Sequence, residues 1–127
     1  MCALGDIVRI FCPQTGYPKY YLCIKAPQDP EAACFIFLNS NPNFQEVFAV
    51  DCSQVPFLPV SKTGKTVFSF SMIPKYNRRQ LGLYKSKKLG QLDKRLAADL
   101  LKHARQLTVL TKEEKALVIA ALSKISA

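Results

Sequence analysis

The chain has 127 residues, 49% apolar and 21% charged, with a formal net charge of +9 at pH 7. That length suits one domain, 1–127, with a modest core, and the apolar content excludes a disordered tail. No apolar run approaches the roughly 20 residues that span a bilayer, and Asp6 and Arg9 interrupt anything resembling a signal peptide, so a cytoplasmic protein with no membrane contact is expected.

Residues 5 to about 71 read as short strands divided by turn chemistry. "DIVRIFC" (6–12) alternates, and "PQTGYP" (13–18) is a turn by its proline and glycine content. "KYYLCIKA" (19–26) and "ACFIFLN" (33–39) are aromatic and β-branched runs joined by "PQDPE". "NSNPN" (39–43) turns the chain into a fourth strand, "EVFAVDC" (46–52). The two prolines of "VPFLPV" (55–60) suit an edge or an irregular crossing rather than a central strand. Gly64 is available for positive φ in "SKTGK", which leads into the alternating "TVFSFSM" (66–72). Five or six short strands with such frequent turns predict a mainly β fold, a small barrel or sandwich.

From Leu92 the period changes. Leu92, Leu96, Leu100, Ala104 and Leu107 form one helical stripe, with Asp93 placed as N-cap, so a helix is expected over about 93–107. Thr111 and Glu114 form a capping box opening a second helix, about 112–125. Its body, "KALVIAALSKI", is apolar around more than half its circumference, which predicts deep burial or a second subunit, and hence a two-fold homodimer.

The five cysteines form no Cys-x-x-Cys pair, and His103 is the single histidine. Neither a zinc site nor a disulfide framework is expected. Cys12, Cys23 and Cys34 lie in or beside apolar runs and read as buried thiols, and His103 reads as a solvated helix residue.

The charge is concentrated. No acid occurs from Cys52 to Leu92, while that stretch holds Lys62, Lys65, Lys75, Arg78, Arg79, Lys85, Lys87 and Lys88. Such a surface repels itself and calls for a polyanionic partner. The lysines and arginines would neutralise phosphates, while Tyr17, Tyr20, Tyr21, Tyr76 and Tyr84 offer rings on which unpaired bases stack. Tyr76 and Tyr84 lie inside the basic stretch, the interleaving a single-strand binder needs.

The order of features resembles the PemK/MazF/Kid family of plasmid-maintenance toxins over about residues 5 to 108. "GDIVRI" looks like the family's first strand and "YYLCIKA" like its second. "FAVDCSQ" looks like a strand ending in a polar turn, and residues 67 to 107 like the last strand, basic segment, short strand and closing helix. The resemblance implies an SH3-like barrel, dimeric, that cleaves single-stranded RNA without metal or cofactor and is restrained by an antitoxin with an acidic tail.

RNA cleavage without metal needs a base for the ribose 2′-OH, donors for the phosphorane and an acid for the leaving oxygen. By the resemblance, the family's phosphate-gripping arginine falls on Lys19 and the proline after it on Tyr20. The Thr/Ser position falls on Ser53, with Asp51 beside it as a candidate base. The late-strand arginine and aspartate positions fall on Ser69 and Ser71, which supply neither charge. Lysine also lacks the guanidinium fork that holds two phosphate oxygens. Two functions are therefore expected as alternatives: an RNA-binding, RNA-cleaving toxin acting through Lys19, Ser53 and Asp51, or a non-catalytic barrel that binds nucleic acid or an acidic protein segment.

Overall fold

The computed structural model describes residues 2–39, 41 and 46–127. Among these residues seven strands form one antiparallel sheet: β1 (Asp6–Cys12), β2 (Tyr17–Lys25), β3 (Ala33–Asn39), β4 (Val47–Asp51), β5 (Lys65–Ser69), β6 (Lys75–Tyr76) and β7 (Lys87–Gln91). Three α-helices accompany them, α1 (Arg78–Leu83), α2 (Lys94–Ala104) and α3 (Lys112–Ser126), with a 3-10 turn at Cys52–Gln54. The fold is thus mainly β with C-terminal helices, as the change of period at Leu92 predicts. The turn expected over 39–43 falls largely outside the described residues.

β2 begins two residues before the expected Lys19, because Tyr17 and Pro18 pair with Cys12 and Phe11 across a turn that needs only residues 13–16. Gly16 supports that turn at φ +79, and Gly64 adopts φ +72 before β5. The strand expected to reach Met72 ends at Ser69, where pairing with Phe37 and Val47 stops.

Hydrogen-bonded order across the sheet is β4-β5-β3-β2-β1-β7, with β6 paired to β3. Among the described residues no ladder joins β4 to β7, so hydrogen bonds do not close the expected barrel. The two ends are linked by packing instead: Phe57, beyond β4, lies so close to Gly90 of β7 that a Cβ there would stand 2.7 Å from its ring. Glycine is the residue that permits this approach.

Cross-strand partners share a face of a sheet. Ile7, Leu22 and Ile36 align across β1, β2 and β3 and belong to the larger core with Phe68 and Phe70. α2 contributes Leu96, Ala97, Leu100 and Ala104 to that core, and α3 contributes Val118, Ala121 and Leu122. Asp93 caps α2 by accepting N–H bonds from Arg95 and Leu96, and the Thr111–Glu114 capping box opens α3 as expected.

Of the two readings of α3, deep burial accounts for much of its apolar circumference. Leu117, Ile119 and Ile125 are partly buried against the protein's own core, and none of the large exposed apolar side chains lies on this helix. α3 meets both α2 and β2, so its broad apolar surface serves two intramolecular contacts. His103 is likewise packed rather than solvated, its ring 5.4 Å from that of Phe48 and 5.3 Å from that of Phe70.

The α2–α3 connection is tied to the sheet by Glu46, whose carboxylate accepts N–H bonds from Thr108 at 2.8 Å and Val109 at 2.6 Å. Burial pushes the Glu46 carboxyl up, but those N–H donors and His103 outweigh it and hold the group below its ordinary value of 4.5. A depressed folded pKa gives stability that is full above the unfolded value and lost as pH falls through the folded one. Glu46→Gln should therefore lower the urea midpoint at pH 7, and the gap from wild type should close as pH drops below 4.5. A gap unchanged at pH 3 would mean that the charge on Glu46 contributes nothing to this cap.

Candidate nucleic-acid interface

The basic stretch crosses one face of the sheet as a strap. β6 pairs with β3, and β7 pairs with β1 on the far side of β2. Between them Leu81 of α1 is buried with Val8, Ile10, Tyr21, Cys23 and Phe35. α1 was not expected, although the signal was present: Asn77 and Gln80 form a capping box, each side chain bonding the other's backbone N–H. Lys75, Arg78, Arg79, Lys85, Lys87 and Lys88 are all exposed along the strap.

Not all of these cations are available. Arg78 donates to the Asp29 carboxylate at 3.1 Å and to the Pro27 carbonyl at 3.2 Å, fastening the 27–29 segment to α1. Lys88 faces the buried Asp6 at 3.3 Å. Lys75, Arg79, Lys85 and Lys87, with Lys62 and Lys65 outside the strap, are the predicted cations without a hydrogen-bonded acid among the described residues.

The tyrosines also differ from expectation. Tyr76 and Tyr84 are half-buried and meet edge to face at 6.2 Å. Tyr76 also packs against Phe35 and Tyr21, and its hydroxyl lies 3.0 Å from that of Tyr21. These rings hold the strap to the sheet rather than standing open for bases. Burial and the Tyr76 contact push the Tyr21 hydroxyl well above its ordinary pKa, so it stays neutral.

The open aromatic surface lies at one end of the sheet, where the start of β2, the end of β3 and the start of β5 meet the 58–61 segment. A groove of about 380 Å³ there is lined by Tyr17, Lys19, Tyr20, Phe37, Asn39, Val60, Ser61, Lys65 and Thr66, among others. The Lys19 ammonium sits 5.4 Å from the centre of the Phe37 ring. Tyr17 is 61% exposed, enough for a base to stack on it.

The candidate catalytic residues do not assemble in this groove. Lys19 lines it, whereas Ser53 and Asp51 do not. Asp51 caps the 3-10 turn by accepting the Ser53 N–H at 2.9 Å. The Ser53 backbone and hydroxyl, helped by Lys65, hold its carboxyl below the ordinary range, which weakens it as a base. Ser69 is buried and bonded to Ser71 at 3.3 Å, so the late-strand pair is structural. Among the described residues, no carboxylate or imidazole lines the groove, and no group of three His, Cys, Asp or Glu side chains could hold a metal ion.

Of the cysteines, Cys2, Cys23 and Cys34 are buried, but Cys12 is half-exposed at the start of the 13–16 turn, contrary to the burial expected of it. The hydrogen bonds of Thr15 lower the Cys12 thiol. Among the described residues no helix is long and apolar enough to cross a membrane.

The chain matches no protein-family model, and no curated protein is similar to it. One residue that the sequence reading passed over belongs with this surface. Arg9, exposed, is the cross-strand partner of both Tyr20 and Lys87. Its signal was a charge interrupting the apolar "DIVRIFC" run.

Proposed function

We propose that the protein binds single-stranded RNA in the groove at the end of the sheet, as a PemK/MazF-like barrel would, and holds the strand without cutting it. The observation that carries this reading is that Lys19 and Lys65 line one groove with Tyr17, Tyr20 and Phe37. Ammonium groups meet phosphates and flat rings take unpaired bases, a pairing that favours unpaired strands over duplexes. Binding is favoured over cleavage because Asp51 is committed to the Ser53 N–H and Ser53 lies outside the groove lining.

A fluorescent single-stranded RNA dodecamer titrated by anisotropy tests the reading. With four to six phosphates neutralised, log affinity should fall against log salt with a slope of about −3 to −4. Lys19→Gln with Lys65→Gln should flatten that slope by about 1.4. Arg79→Ala, outside the groove lining, should flatten it by less than either lysine replacement. Arg78→Ala should act through the 27–29 segment that it fastens instead. The same RNA should remain intact over hours in excess chelator. Shortened products would restore the nuclease reading, and a salt-independent or undetectable affinity would end the RNA reading.

A further inference from the structure

Three acids in the sheet region are matched to cations: Asp6 with Lys88, Glu31 with Lys25 and Asp29 with Arg78. Arg9 and Lys87, like Lys75, Arg79 and Lys85, have no such acid among the described residues, but these two also share one rung of the sheet. They stand directly opposite each other on β1 and β7, both exposed, and among the described residues no carboxylate pairs with either. Like charges directly opposite on neighbouring strands destabilise a sheet. Retaining two at one rung costs stability that a bound anion would return.

The same rung continues through Tyr20 on β2, which lines the groove. Lys87, Arg9 and Tyr20 therefore follow one another across three adjacent strands, and Tyr20 is the member of this rung that also lines the groove. Neighbouring strands are about 4.8 Å apart, so the path from β7 to β2 covers about 10 Å. At about 3.4 Å per stacked nucleotide that is the length of a short oligonucleotide.

We propose that Arg9 and Lys87 form a phosphate-binding pair beside the groove, so that a bound RNA strand leaves the groove at Tyr20 and passes over β1 to β7. The proposal rests on the RNA reading above and adds to it the course of the strand and two residues that fix it. Phosphate contact at this rung relieves the repulsion between the two cations.

Arg9→Glu tests it with two readouts of opposite sign. Facing Lys87, a glutamate converts repulsion into attraction, so the thermal midpoint should rise, while affinity for the RNA dodecamer should fall at least tenfold. Lys124→Glu makes the same change of charge beside Ala26, at the opposite end of β2. Its affinity should fall no more than twofold if local contact rather than overall charge decides. Should Arg9→Glu fail to fold, Arg9→Gln and Lys87→Gln carry the comparison, each with an expected loss of about fivefold, on the order of one charge-assisted phosphate contact. Equal losses for the position 9 and position 124 variants, with Lys19→Gln still weakening binding, would overturn this inference and leave the RNA reading standing. No binding by the wild-type protein would overturn both.

Discussion

Leu122→Ala is expected to destabilise the protein by about 2–5 kcal/mol, the range for truncating a fully buried leucine. Leu122 is 0% exposed and shares the larger core with Val118, Leu100 and Phe68. Truncation removes apolar contacts and leaves a cavity between α3, α2 and the sheet, which relaxes only in part. The loss should appear as a lower denaturant midpoint with an unchanged slope, because the surface exposed on unfolding barely changes. Sedimentation should give the same mass for wild type and variant. A variant of unchanged stability but altered mass would return α3 to the role of a subunit contact, which its apolar circumference alone suggested.

Gly90→Ala should cost about 1–3 kcal/mol, the usual penalty for forcing atoms into a packed site. The new Cβ would stand 2.7 Å from the Phe57 ring, closer than carbon atoms tolerate, so the ring must swing away. Phe57 is 37% exposed and has room to do so, which keeps the cost within that range. Phe57→Ala in the Gly90→Ala background should then cost less than it does alone. A double-mutant cycle measures that coupling directly. Additive effects would show that the link between β7 and the segment after β4 is not made by this contact.

Much of the fold was legible because its signals are local. Alternation in "DIVRIFC" and the aromatic, β-branched run "ACFIFLN" mark two strands, Asp93 and Thr111 mark two helix starts, and Gly64 marks a left-handed turn, all within a few residues of the feature itself. The missed helix α1 was local too, but its Asn77–Gln80 capping box opens a helix of only six residues, too few for an apolar stripe to declare itself. The sequence also made the excess of cations between Cys52 and Leu92 plain, since a charge count needs no coordinates.

What each cation does was decided only by tertiary structure. Arg78 and Arg79 are neighbours in sequence, yet one is held by Asp29, from a segment 49 positions away. Tyr76 read as a stacking ring until β6 paired with β3 and turned it against Tyr21 and Phe35. Lys19 and Lys65 are distant in the chain and line one groove because the start of β2, the end of β3 and the start of β5 meet at one end of the sheet. Arg9 gains its meaning from register alone, since a shift of one residue would place it opposite a different partner on β7 and on the other face. Composition and period are properties of adjacent residues and can be read along the chain. Pairing, register and the burial of particular rings depend on which distant segments meet, and only the folded chain sets them.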